Sequence, residues 1–377
     1  MRICLNMIVR NERAVIERCL DSALPHIHSW AIVDTGSTDG TQELIRTRLA
    51  HLPGELIERP WVDFATNRNQ ALELARQHGD YALLIDADDV FEADPGFALA
   101  NVRGLEAPGY VLEIVDEVTC YLRDALIRLD VDWRWRGVLH EALTCSDIDH
   151  VQKLRGLHIR RIGGGARSQG EARAKYVRDS AILRDALAAE PDNARYAFYL
   201  AQSLRDAGQI EGAIAAYRHR VAMGGFAEEV YFAKYMIARL LESRQAPFGE
   251  VVAAYENAHQ YRPQRAEASF YLARFLYAQQ RLAPACDYAS IAARTPLPKD
   301  GLFVDRNIYG WRSGDLLAYA LHAFGRHDES AQVCRALLDR ADLPASERPR
   351  IEGNLRAALA AAAVSPPPGA PLRHGNA

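Results

Sequence analysis

Six cysteines, at positions 4, 19, 120, 145, 286 and 334, are scattered along 377 residues with no CxxC or CxxH pair among them. That spacing excludes a sequence-encoded zinc site and points to reduced thiols rather than a disulfide framework. No run approaches the roughly 18 apolar residues that a membrane-spanning helix requires. The opening MRICLNMIVRNER reaches charge too soon for a signal peptide. There is no dense Lys/Arg run, and the net charge of -4 argues against a nucleic-acid partner. The chain also opens without a glycine-rich, lysine-containing phosphate loop, which argues against a nucleotidyltransferase. What is present is ordinary globular composition, 49% hydrophobic and 25% charged, in a chain long enough for two or three domains. The expectation is a soluble, cytoplasmic protein with no transmembrane segment.

The first 90 residues alternate between strand-like and helix-like segments. Residues 2–9 (RICLNMIV) read as a strand, and residues 12–24 as a helix with Ile16, Cys19, Leu20 and Leu24 at helical spacing. Residues 30–33 (WAIV) form a second strand, stopped by DTGSTDG. A helix follows from about Thr41, with Asp39 as N-cap and Gln42 as its capping-box partner. Strands at 56–58 and 81–85 flank a third helix at 65–78. Such alternation predicts a mainly parallel sheet covered by helices, with ligands at the carboxyl ends of the strands. Residues 6–12, 34–39 and 86–89 all fall there. Between 110 and 165, YVLEIV, ALIRL and KLRGLHIRRI read as further strands separated by DWRWRGVLHEAL, completing a mixed-sheet domain over 1–165.

From about residue 168 the pattern is helical and repeats. Leu200, Ala201, Leu204, Gly208, Ala213 and Tyr217 have the spacing of a tetratricopeptide helix pair. Ile237, Ala238, Leu241 and Tyr255 form a second copy; Leu272, Ala273, Leu276 and Ala285 a third. Leu317, Ala318, Leu321, Gly325 and Ala331 form a looser fourth, after the insert TPLPKDGLFVDRNIYGW. An all-α repeat domain is therefore expected over 166–362, with a concave face suited to a peptide or protein. The remainder, 363–377, is expected to be a disordered tail. A homodimer is also compatible with such repeats.

Residues 81–91 (YALLIDADDVF) end an apolar run in three carboxylates, Asp86, Asp88 and Asp89. Crowded acids disfavour one another's ionisation unless a cation or donors sit among them. Asp86 and Asp88 share one side of an extended segment, where both can face a hard ion such as Mg2+ or Mn2+. Acid-rich turns and helix caps are an equally ordinary reading of the same string. The glycine turn VDTGSTDGT (33–41) opens a helix whose N-terminus favours anions. FATNRNQAL (64–72) places Arg68 and Asn69 near a helix start, where an arginine can clamp a diphosphate or simply face solvent. In RWRGVLHEAL (134–143), His140 and Glu141 are adjacent, so they share one role only in a turn or helix start. Trp133 and Trp135 beside them suit either stacking on a sugar or core packing.

CLNMIVRNE, DTGSTDGT, DFATNRNQAL and LLIDADD, in that order, resemble the GT-A nucleotide-sugar glycosyltransferases of the family-2 type over about residues 1–165. With the His-Glu pair and the repeats, the chain is similar to a bacterial subgroup that includes peptide S-glycosyltransferases of the sublancin type. Its first half also resembles lipopolysaccharide-core glucosyltransferases. The resemblance implies a metal-dependent hexosyltransferase fold, GT-A followed by tetratricopeptide repeats, using a nucleotide-sugar donor (a UDP-sugar foremost). It implies that Val9 and Glu12 border the base pocket, Asp34 contacts the base and Arg68 reaches the diphosphate. Asp86 would lie against ribose or metal-bound water, and Asp88 would bind the metal. Arg161 occupies the slot where members often carry a histidine, in IRRIG (159–163), with His158 nearby. Arg161 there would neutralise diphosphate directly and weaken dependence on the ion.

An inverting transfer then needs a base: Glu141 first, Asp89 second. His140 is open between ligand, phosphate donor and structural histidine. The acceptor expected is a protein or peptide held by the repeats. The alternatives are a saccharide or lipid-linked acceptor, or a non-catalytic tetratricopeptide scaffold with a degenerate nucleotide-binding domain.

Overall fold

The computed structural model describes residues 1–116, 119–146, 148, 151–165 and 172–364. Strands β1 (Ile3–Val9) and β2 (Ser29–Asp34) are buried almost throughout, as strands covered on both faces must be. They pair in parallel from Cys4↔Ser29 to Val9↔Asp34. Strand β3 (Gly54–Glu58) adds beside β2, and β4 (Tyr81–Leu84) beside β1, both parallel. Helices α1 (Ile16–Ala23), α2 (Thr41–Arg48) and α3 (Phe64–Ala75) make the crossovers. α1 seats Ile16, Cys19, Leu20 and Ala23 on the sheet, while Asp63 caps α3 by accepting from Thr66 N at 2.7 Å.

The second half of the sheet adds β5 (Asp89–Ala93), β6 (Gly109–Asp116) and β7 (Thr119–Arg128). A small hairpin, β8 (Arg134–Arg136) with β9 (Ala142–Thr144), precedes β10 (Gln152–Arg161). The strand order is β3-β2-β1-β4-β7-β6-β10-β5. β7 runs antiparallel to β4 and β6, and β5 antiparallel to β10, so the sheet is mixed. The α/β architecture and the helical repeats are as the sequence predicts.

Three local readings differ. β5 was hidden by the acids that open it, although Asp89 and Phe91 turn inward in strand alternation. DWRWRGVLHEAL is itself a hairpin rather than a separator. The N-cap of α2 is Gly40, at φ +87°, rather than Asp39, which lies one residue earlier and accepts from Thr41 N at 3.0 Å. Gln42 closes no capping box, because its amide bonds Asp34 Oδ1 at 3.0 Å.

Among the described residues ten α-helices follow: α4 (Ala172–Ala189), α5 (Ala194–Asp206), α6 (Ile210–Met223), α7 (Ala227–Ser243), α8 (Phe248–Tyr261), α9 (Glu267–Ala278), α10 (Leu282–Arg294), α11 (Ser313–Ala323), α12 (His327–Leu338) and α13 (Arg348–Val364). The four periodic copies are the pairs α5/α6, α7/α8, α9/α10 and α11/α12. Ala201, Ala213, Ala238, Ala273 and Ala285 are fully buried where paired helices approach closely. α13 continues to Val364, past the 362 boundary, and 365–377 lie outside the described residues, as do 166–171.

The chain divides into two compact units. One is Met1–Gly225 with Gly301–Val304; the other is Phe226–Asp300 with the chain from Asp305 onward. Helices α4 to α6 thus belong with the sheet. So does the tip of the insert: Leu122 N donates to Gly301 O at 3.0 Å, and the Tyr121 and Phe303 rings meet edge-on at 5.7 Å. Among the described residues all six cysteines are free thiols, and no helix is long and apolar enough to cross a membrane.

Candidate active site

The carboxyl ends of β1, β2 and β4 carry the residues that sequence singles out. Val9 ends β1 buried, its carbonyl accepting from Thr35 N at 2.9 Å and Thr35 Oγ1 at 3.1 Å. Asp34 ends β2 with no exposure at all. Its Oδ1 accepts from Gly36 N at 2.9 Å, Ser37 N at 2.8 Å and Gln42 Nε2 at 3.0 Å. Gly36, at φ +106°, makes that tight turn possible. Asp34 Oδ2 is buried without a partner among the described residues, an arrangement that calls for a donor from water or a ligand. Glu12 joins this corner, its N–H donating to Thr41 Oγ1 at 2.9 Å.

Past β4 the acids divide by environment. Asp86 is held between two guanidinium groups: Arg68 Nη2 lies 2.5 Å from Oδ1 and Arg123 Nη1 2.9 Å from Oδ2. Burial opposes ionisation, but those two cations outweigh it and keep the carboxyl well below its usual range. Arg68 reaches further, its Nε bonding Glu141 Oε1 at 2.6 Å, with its Cζ 5.0 Å from the Trp135 ring centroid. Asp89, 3% exposed, goes the other way. Burial, reinforced by the neighbouring Asp86, pushes its carboxyl up to about 7. Arg161 pairs in register with Asp89 and lies 3.6 Å from Asp116. His158 instead bonds Glu92 at 3.0 Å.

Arg123 is the residue that sequence reading missed. No motif surrounds it, yet the antiparallel register Tyr81↔Arg128, Ala82↔Ile127, Leu83↔Leu126, continued onward, brings position 123 opposite 86.

The β8–β9 loop delivers Glu141. Asn69 pins β8 like a strand edge, its Nδ2 donating to Trp135 O at 3.0 Å and its Oδ1 accepting from Trp135 N at 2.8 Å. Trp133 and Trp135 are buried with Leu74, Leu129 and Leu143, so both pack in the core. His140 and Glu141 do sit in a turn, but they part company. Glu141 faces Arg68, whereas the His140 ring stacks on Tyr199 of α5 at 4.0 Å and 7°.

A divalent cation fits this set only in part. Both Asp86 oxygens are taken by arginines, so Asp86 is a poor ligand as placed. Asp88 is better disposed. A Cβ on Gly165 would meet Asp88 Oδ2 at 2.9 Å and Glu12 Oε2 at 3.0 Å, so two carboxylates converge where only glycine fits. Two carboxylates are a set Mg2+ accepts when phosphate oxygens and water complete the shell. Among the described residues no three His, Cys, Asp or Glu side chains are grouped to hold a metal ion by themselves.

Residues 4–110 match the family described as Glycosyl transferase family 2. The chain is 25% identical over 224 residues to the SPbeta prophage-derived glycosyltransferase SunS of Bacillus subtilis, covering 56% of this chain and 51% of that one. It is 36% identical over 84 residues to the lipopolysaccharide core biosynthesis glycosyltransferase LpsC of Rhizobium meliloti, covering 22% of this chain and 30% of that one. A TPR repeat-containing protein of Synechococcus elongatus is 36% identical over 89 residues, 23% of this chain and 21% of that one. The chain spans about half the length of SunS, at 51%, and less of the other two.

Proposed function

A family-2 glycosyltransferase domain heads this chain, ahead of tetratricopeptide-type repeats, and we propose that it moves a hexosyl group from a UDP-sugar to a protein or peptide acceptor with inversion. The observation that carries the reading is Arg68, a single guanidinium tying Asp86 to Glu141 at the carboxyl end of the sheet. The unpartnered Asp34 Oδ2 offers an acceptor to the imide N–H of uracil. Arg68, Arg123 and Arg161 surround the acids with positive charge suited to a diphosphate. A diphosphate there competes for Arg68, which frees Glu141.

In the transfer, the acceptor's nucleophilic atom attacks the anomeric carbon from the face opposite the leaving group. The new bond forms as the C–O bond to the β-phosphate breaks, and UDP departs with that electron pair. Glu141 takes the acceptor's proton, with Asp89 as second choice. Arg68 meets the charge that develops on the departing phosphate. Mg2+ or Mn2+ held by Asp88 and Glu12 would supply further positive charge at the same oxygens. Val9 and Glu12 border the base. His140 takes no part in the chemistry.

A thermal-shift screen of UDP-, GDP- and dTDP-sugars, with and without Mn2+, is the direct test. UDP-sugars should raise the melting temperature, and a flat response to all three classes would sink the reading. Glu141→Gln should bind donor normally yet transfer at least about a hundredfold more slowly, the scale of general-base catalysis. Wild-type turnover by this variant would remove Glu141 as base.

Asp34→Asn isolates the base contact. The amide keeps Oδ1 for Gly36 and Ser37 but replaces the open acceptor oxygen by a donor. Losing a hydrogen bond to a charged group costs about 1.5–3 kcal/mol. Donor affinity by calorimetry should therefore fall at least about tenfold, and unchanged affinity would place the base elsewhere.

Similarity to LpsC supports a second reading, in which the acceptor is a saccharide. Mass spectrometry after incubation with a peptide library and with truncated lipopolysaccharide core separates the two.

A further inference from the structure

The loop that carries Glu141 is anchored at both ends, and one anchor is a repeat helix. On the sheet side, Asn69 bonds Trp135 in both directions and Arg68 bonds Glu141. On the other side the His140 ring lies parallel to Tyr199 at 4.0 Å. Arg195, also on α5, donates from Nε to the His140 carbonyl at 2.9 Å, and its guanidinium lies 5.0 Å from the Tyr199 ring centroid. His140 is held at φ +51°, a left-handed backbone conformation that a non-glycine residue keeps only when its surroundings impose it. That conformation points the two neighbours apart, one ring to α5 and one carboxylate to Arg68. α5 and the hairpin belong to the same compact unit.

We propose that His140 is a positioning residue: by stacking on Tyr199, with Arg195 holding its carbonyl, it fixes the loop that presents Glu141, so that α5 is a working part of the transfer site. This rests on the glycosyltransferase reading above and adds that the first repeat sets the geometry of the base. Stacked flat rings suit the role, because a face-to-face contact resists tilt of the loop. Loops that miss their productive geometry by about 1 Å lose up to about 10²-fold in rate.

The test uses the full chain carrying Tyr199→Leu, Tyr199→Phe and, separately, His140→Asn, which keeps a residue tolerant of positive φ. Hydrogen exchange of residues 137–141 and steady-state kinetics with a UDP-sugar are measured together. Tyr199→Leu and His140→Asn should each speed exchange in the loop and lower kcat at least about tenfold, with donor KM within about twofold of wild type. Tyr199→Phe should restore both, since it retains the ring. In a Glu141→Gln background, Tyr199→Leu should add no further loss of rate. Unaltered loop exchange in both ring-removing variants, or a loss expressed in KM alone, would overturn the proposal. If Tyr199→Leu fails to fold, His140→Asn carries the same readouts from the other side of the stack. If no sugar nucleotide turns over at all, the glycosyltransferase reading falls, and loop exchange alone decides the coupling.

Discussion

Replacing Arg68 by alanine is expected to lower kcat/KM by about 10²–10³-fold, the scale for removing one preorganised charge donor from a developing anion. Arg68 is the hinge of the site, bonding Asp86 at 2.5 Å and Glu141 at 2.6 Å while its Cζ lies over the Trp135 ring at 5.0 Å. Burial works against its charge, but the carboxylates of Asp86 and Glu141 raise its pKa all the same, so it stays a cation throughout the working pH range. Alanine removes the cation and leaves Glu141, 10% exposed, with an unmet carboxylate. Asp86 retains Arg123. Arg68→Lys keeps one charge but no planar fork able to reach both acids, so most of the loss should persist. Arg123→Ala should cost less, because Arg68 remains. Steady-state kinetics across the three variants give the ranking, and an Arg68→Ala enzyme within threefold of wild type would dismiss this account of the site.

The largest effect on stability is expected at Glu267, in the second compact unit. Arg265 and Glu267 are 1% and 2% exposed. The pair is bidentate, with Arg265 Nε and Nη2 at 2.9 and 2.8 Å from the two Glu267 oxygens. Tyr309 donates to the same carboxylate at 2.7 Å and Tyr231 at 3.3 Å, while Asp300 accepts from Arg265 at 3.2 Å. Removing one partner of such a buried pair costs about 3–5 kcal/mol, because the other charge stays buried. Glu267→Ala should therefore lower the melting temperature by about 10 °C or more. Replacing both partners, as Arg265→Met with Glu267→Leu, should be clearly milder. Calorimetry of the single and double variants tests the argument. A double variant as unstable as the single would mean that apolar packing cannot substitute for the network.

The alternating strands and helices of residues 1–85 are readable in sequence because each is fixed by local pattern and by turn residues beside it. The repeats are readable because small residues return at the interval of a helix pair. Arg123 and Tyr199 are not, since each acquires meaning only from a partner far along the chain. Asp86 meets Arg123 through antiparallel pairing of β4 with β7, and His140 meets Tyr199 through packing of a loop on a helix. Likewise the acid triplet could be located but not apportioned. Its division into an Asp86 clamped by Arg68 of α3 and Arg123 of β7, an Asp88 beside Glu12 and Gly165, and an Asp89 whose burial raises its carboxyl pKa follows from neighbours distant in sequence.

The four residues Gly301–Val304, lying between the third and fourth helix pairs yet counted with the sheet, bear on how such a protein can be taken apart. No single cut separates the two units without also stripping β7 of the partner that receives the Leu122 N–H. A deletion of the repeats therefore damages the sheet as well as the repeats, and a chimera that exchanged the array wholesale would need to bring a matching insert with it. Point changes within individual helix pairs leave the shared stretch in place.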